Sequence, residues 1–305
     1  MNHKDNEILA MLAEAVAIAP PHTMSDAIIE AATSTRPAGQ AITGLGGGQR
    51  VLAGAAFVQT VDEFRSVLAM ADSASVVEPY GWSVTQLVAH LLEVDLYFGR
   101  QLGLWEHDIV DALEDDHLAM TEAAVRASVK ADHAATIARW NEVSSMVCEH
   151  IAALDPEQLR QRVKFHILDT RLSTVLVARV FEVWTHTEDL CRTLRRDPPT
   201  LDAARLNLMT RVGVAAIPLG LLLGNIDCGA RTARLVLTGR GGGVWNQPLQ
   251  LGMDPGEPSV TIVADALTFC RLAAQRIAPD EFDAEIDGPL ELALNVLRGA
   301  SVFAA

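Results

Sequence analysis

Between Thr60 and Leu194 the apolar residues recur every three to four positions, and after Gly229 they alternate, so one chain must bury two kinds of hydrophobic surface. The first kind is a stripe along helices. The spacing predicts helices over 61–74, 83–104, 122–154 and 173–194, joined by polar loops. Four such segments pack as an antiparallel bundle, in which ligand sites form between facing side chains. Pro198 and Pro199 stop the fourth helix, and a further helix is expected over 202–223. In the alternating section, 231–238 and 244–251 flank the run Gly239-Arg240-Gly241-Gly242-Gly243 and read as a hairpin. A third strand is expected over 258–263, then a helix over 264–277, then another entered at Asp287 as N-cap with Pro289 just inside. The expected class is therefore α-helical, a four-helix bundle followed by a small α+β domain. Three regions follow: an N-terminal helical extension and linker over 1–50, the bundle over 51–199, and a linker helix with the α+β domain over 200–305. Within the extension, 7–19 and 25–33 read as short helices. Gly44 to Gly48 reads as a flexible linker, because Gln49 and Arg50 stand where a phosphate-binding loop needs Gly-Lys-Ser or Gly-Lys-Thr.

Composition removes several classes of partner. With 305 residues, half of them hydrophobic, the chain has ample material for a core. Its 24 basic against 39 acidic residues give a formal charge of -15, which repels phosphate backbones and anionic lipid. Neither a nucleic acid nor a membrane is an expected partner. The most lipophilic run, 212–225, contains Pro218 and is shorter than the roughly 20 residues that span a bilayer. Cys148, Cys191, Cys228 and Cys270 lie far apart without a C-x-x-C pair, the pattern of reduced thiols in a cytoplasmic protein.

The chemistry-bearing residues sit in the fourth helix. Its first half is apolar, yet Arg179, Glu182, His186 and Asp189 fall at spacings of three, four and three and form one polar stripe. Glu182 and His186, one turn apart, can aim an oxygen and a nitrogen at one point. On the second helix His90 lies on or beside the buried face marked by Leu87, Leu91 and Val94. Two histidines and a carboxylate would hold a divalent cation and leave a position open, the arrangement of catalytic rather than structural zinc; the same set can also hold ferrous iron. Asp189 and Glu93, each three residues beyond a histidine, are expected to orient the imidazole rings. Against this stands the plainer reading, in which a lone buried histidine is structural and a Glu-His pair one turn apart is a surface ion pair. His107, His117, His133, His150 and His166 lie in acidic or loop-like surroundings and offer no rival cluster. No Gly-x-Ser-x-Gly elbow, His-Glu-x-x-His helix or dinucleotide fingerprint occurs.

The segment Trp82-Ser-Val-Thr-Gln-Leu-Val-Ala-His90, followed by Arg179-Val-Phe-Glu182-Val-Trp184-Thr-His186-Thr-Glu-Asp189-Leu190, resembles the mycothiol-dependent maleylpyruvate isomerase family. The resemblance runs from about Thr60 to the end. It implies a DinB-like metal-binding bundle and a C-terminal domain similar to sterol-carrier folds. It implies that His90, Glu182 and His186 are metal ligands, that the metal is divalent and usually zinc, and that mycothiol is the thiol cosubstrate. It also implies an arginine brought to the cleft by the C-terminal domain, for which Arg276 is the nearest match and Arg271 the other candidate. The expected function is thiol attack on a small electrophile, by S-transfer or by isomerisation of a maleyl-type double bond. The other readings are a non-catalytic metal- or ligand-binding bundle with a stress or regulatory role, and an iron enzyme using the same triad. The extension before the bundle departs from many members and leaves monomer and homodimer both open. The excess of 21 Arg over three Lys fits GC-rich coding, which suits the actinobacteria that make mycothiol.

Overall fold

A computed structural model describes residues 53–73, 75–105, 117–165 and 168–303. The expected helices over 7–19 and 25–33, the glycine linker, His107 and His166 lie outside these residues. The chain divides into two compact units, Leu52–Thr200 and Leu201–Ala304.

The first unit is built on α1 (Ala53–Leu68), α2 (Val84–Gln101), α4 (His133–Ala153) and α5 (Leu172–Thr193), with a shorter α3 (His117–Ala127) against α2. The second helix starts where its sequence says it must. The Ser83 side chain accepts from the Gln86 backbone N–H at 3.2 Å while Gln86 Oε1 accepts from the Ser83 N–H at 2.9 Å, a complete capping box. The core is aromatic and branched-aliphatic: Phe57, Phe64, Phe98, Trp140, Phe181, Leu87 and Leu91 are each fully buried. Phe64 meets Trp140 edge-on at 5.2 Å, and Phe57 meets Phe98 at 6.2 Å, geometries that favour the ring quadrupoles. Two small hairpins close the ends, β1 (Val76–Val77) with β2 (Trp82–Ser83), and β3 (Arg162–Phe165) with β4 (Leu168–Arg171).

Two expectations change here. The first helix begins at Ala53 rather than 61 and ends at Leu68 rather than 74. Its opening Ala-Gly-Ala-Ala has no amphipathic stripe to read, but the missing side chain at Gly54 leaves room for Ile151 of α4. The helix expected over 122–154 is two helices. Ala131 is extended, and Asp132 restarts the chain as an N-cap, accepting from the Ala135 N–H at 2.7 Å.

The second unit opens with α6 (Ala203–Leu223), capped by Asp202, and continues into a four-stranded sheet ordered β6-β5-β7-β8. The hairpin of β5 (Thr232–Thr238) and β6 (Gly243–Pro248) is antiparallel; β7 (Pro258–Asp265) runs parallel to β5, and β8 (Glu285–Asp287) antiparallel to β7. Ala233, Leu235, Leu237, Val260, Ile262 and Ala264 alternate along β5 and β7 onto the buried face. Helices α6, α7 (Ala266–Ala273) and α8 (Leu290–Ala300) complete the layer. By length and apolarity α6 is long enough to cross a membrane, but 61% of its most apolar window is buried in the fold, as in a core helix. Asp287 is the last residue of β8 rather than a helix cap; the N-cap of α8 is Pro289. The helix expected over 264–277 ends at Ala273, because Gln275 takes a left-handed φ of 58° and the Arg276 N–H returns to the Arg271 carbonyl at 2.8 Å.

Candidate metal centre

The polar stripe of α5 points inward. Arg179, His186 and Asp189 are wholly buried, and the Glu182 side chain retains 18% exposure, so the surface ion pair of the plainer reading does not describe this helix. From α2, His90 reaches the same place, its Nε2 lying 3.1 Å from Glu182 Oε1 and its ring centroid 5.2 Å from that of His186. One ligand atom from each of His90, Glu182 and His186 lies within 4.8 Å of the other two, a spacing that could hold a metal ion.

The electrostatics suit a cation. Burial first, and then the neighbouring His90, push His186 down to about 3, so its imidazole is neutral at neutral pH, the form that ligates metals. Both of its ring nitrogens are buried without a hydrogen-bond partner. Such orphaned atoms cost on the order of 1–3 kcal/mol each, which a metal–nitrogen bond would relieve. Burial works to raise the Glu182 carboxyl, but Arg179, with His90 and His186, outweighs it and holds the group below the usual carboxylate range. The donor set of two imidazoles and an ionised carboxylate therefore fits a divalent ion of the zinc or iron type.

The expected orienting groups behave differently. Asp189 Oδ2 is 4.0 Å from His186 Nδ1, beyond hydrogen-bonding distance, and its carboxylate accepts instead from the Tyr80 hydroxyl at 3.4 Å and Arg192 Nη1 at 3.3 Å. Glu93 is half-buried, raised first by that burial and drawn back by Arg100 rather than by His90. Sequence reasoning missed the groups around the cluster. Tyr80 and Trp82, at the turn and second strand of the β1–β2 hairpin, stack at 4.5 Å; Tyr80 lies 5.6 Å from the His186 ring and Trp82 5.5 Å from that of His90. It missed Asp95 and Trp140 as well, although a carboxylate at an otherwise apolar position of α2, between Val94 and Phe98, is a readable signal. Arg276 belongs to the second unit, where it follows the end of α7 and its Nη1 donates to the Ala274 carbonyl at 3.0 Å. Burial lowers it to about 10, still a cation at neutral pH. Arg271 lies in the last turn of α7. A groove of about 580 Å³ between α1 and the end of α4, lined by Val58, Asp62, Ile151 and Leu159, contains none of the cluster residues.

Fold and cluster together define a class, a DinB-like bundle carrying two histidines and a glutamate, followed by a small α+β unit. Comparison places the bundle more narrowly: residues 55–191 match the model of the mycothiol maleylpyruvate isomerase N-terminal domain. Two crystal structures share the fold. A mycothiol-dependent maleylpyruvate isomerase aligns at 15% identity with a TM-score of 0.51, covering 76% of this chain and 91% of its own. A histidine-to-alanine mutant of a mycothiol-dependent maleylpyruvate isomerase aligns over the same shares at 14% identity and the same TM-score. A search of curated proteins found no match.

Proposed function

We propose that the chain is a divalent-metal-dependent enzyme that activates the thiol of mycothiol for attack on a small electrophile. The observation that carries this reading is the buried His90–Glu182–His186 cluster, with both His186 nitrogens unpartnered, in a domain of the mycothiol maleylpyruvate isomerase type. A divalent cation, when bound, lowers the pKa of a thiol from its usual value near 8.5 and so supplies a nucleophile at neutral pH.

The protein's residues supply the rest. His90 and His186 offer ring nitrogens, Glu182 offers charge, and Tyr80 and Trp82 flank the two imidazoles with aromatic surface. Arg276, or else Arg271, is the proposed anchor for a substrate carboxylate or for developing negative charge. Attack of a thiolate on an activated double bond forms a carbon–sulfur bond. If that bond breaks again after rotation, the outcome is isomerisation of a maleylpyruvate-type substrate; if it persists and the carbon takes a proton, the outcome is S-transfer.

Metal analysis of protein purified without a histidine tag tests the cluster. The expected result is stoichiometric zinc that is lost in His90→Ala and His186→Ala; wild-type protein that stays metal-free after reconstitution overturns the reading. Incubation with mycothiol and maleylpyruvate or related electrophiles tests the chemistry. Isomer formation or thiol consumption, abolished in Glu182→Ala and reduced in Arg276→Ala, is expected.

A further inference from the structure

Glu182 has two oxygens, and the fold treats them differently. Oε1 faces His90, whereas Oε2 accepts a hydrogen bond from Arg179 Nη1. The other amino nitrogen of Arg179 donates to Asp95 Oδ1 at 2.7 Å, and Asp95 Oδ2 accepts from Trp140 Nε1 at 2.9 Å. Every member of this chain behind Glu182 is shut off from solvent: Arg179 and Trp140 are 0% exposed and Asp95 1%. One guanidinium bridges two carboxylates, and the oxygen of Glu182 that it leaves untouched, Oε1, lies on the side of the histidines.

We propose that Arg179, seated by Asp95 and Trp140, is a positioning residue that withholds one oxygen of Glu182 from a bound cation, so that the glutamate ligates through Oε1 alone. The proposal rests on the reading of the cluster as a divalent-cation site. A planar guanidinium suits the task, because it bonds two carboxylates along fixed directions, whereas a lysine ammonium would not hold the Glu182 carboxylate plane. The ring of Trp140 is itself fixed by Phe64 and by the Arg65 guanidinium, 5.7 Å from its centroid. The orientation of one ligand is thereby tied to α1, α2, α4 and α5 together. Withholding Oε2 keeps a carboxylate from occupying a second coordination position, which stays available to an incoming thiol.

Cobalt(II) titration of the full chain provides the test, with affinity read by chelator competition and ligand arrangement by the visible d–d bands. Arg179→Lys and Asp95→Asn are expected to weaken cobalt binding about 10- to 100-fold, the usual effect of losing a group that orients a ligand. Their d–d bands are expected to lose intensity as Glu182 turns to add its second oxygen. Trp140→Phe deletes only the hydrogen bond to Asp95 and keeps an aromatic ring in the packing. It is expected to fall between wild type and the charged variants, and it carries the test if those fail to fold. Folded variants whose cobalt spectrum and affinity match wild type overturn the proposal even if their melting temperatures fall, because a purely structural role would lower stability and leave the spectrum alone. Wild-type protein that binds no cobalt overturns the metal reading and this proposal together.

Discussion

His186 folds into the bundle as a neutral base with both nitrogens unsatisfied, which makes the metal-free protein sensitive to acid. Unfolded, the imidazole binds a proton near 6.5; folded, it resists protonation to about 3. A depressed base stabilises the fold above its unfolded value and loses that contribution as pH falls toward the folded one. In chelator-treated protein the denaturation midpoint is therefore expected to drop as pH is lowered from about 6.5, and His186→Leu should show a shallower drop. Glu182, also depressed, acts with the same sign, but only below its ordinary value of 4.5. Thiols give a second prediction. All four cysteines are free and buried, and burial pushes Cys148 up to about 12. Native protein at pH 8 should leave Cys148 unmodified by iodoacetamide over a time in which urea-unfolded protein is fully alkylated, as mass spectrometry of the digest would record. At this scale the candidate ligands were readable because Glu182 and His186 share one turn and His90 lies among Leu87, Leu91 and Val94. The groups behind them were not. Asp95 meets Arg179 across 84 residues and Trp140 across 45, separations at which periodicity carries no pairing information.

Elements that bury a long stripe were legible, and those defined by a single hydrogen bond were not. The second and fifth helices announce themselves through 18 and 22 residues of helical periodicity. The break between α3 and α4 depends on Asp132, which looks like any polar residue until its carboxylate takes the Ala135 N–H. Replacing it with alanine is expected to cost about 1 kcal/mol in urea denaturation and to raise hydrogen exchange in the first turn of α4. The hairpins β1–β2 and β3–β4, with strands of two and four residues, fall below the length at which alternation can be recognised. In the second unit, α6 and α8 cross at a pair of glycines. A Cβ on Gly220 would lie 2.0 Å from the Gly299 carbonyl oxygen, and one on Gly299 would lie 2.9 Å from that of Ile217. Both obstacles are backbone, so Gly220→Ala is expected to force the helices apart and cost about 1–3 kcal/mol, measurable as a lower melting temperature.

Across the whole molecule, the switch from helical to alternating periodicity anticipated both kinds of layer. The apolarity of α6, by contrast, reflects a place in the interior that only its burial makes plain. The candidate ligands come from helices 92 residues apart in sequence, so the unfolded chain holds them together only rarely. A cation that binds the folded form and not the unfolded one raises stability by mass action. On the proposed reading, added zinc should raise the thermal midpoint with a logarithmic dependence on free zinc, and His90→Ala should remove that dependence.

The same distance orders events in time. Synthesis delivers His90 and Asp95 early, but Arg179, Glu182 and His186 arrive together on the last helix of the first unit. A nascent chain that stops short of α5 has one histidine of the cluster, an aspartate without its arginine and three of the four long bundle helices, with an open seam. Whatever chemistry the cluster performs cannot begin until the final bundle helix has cleared the ribosome and closed that seam.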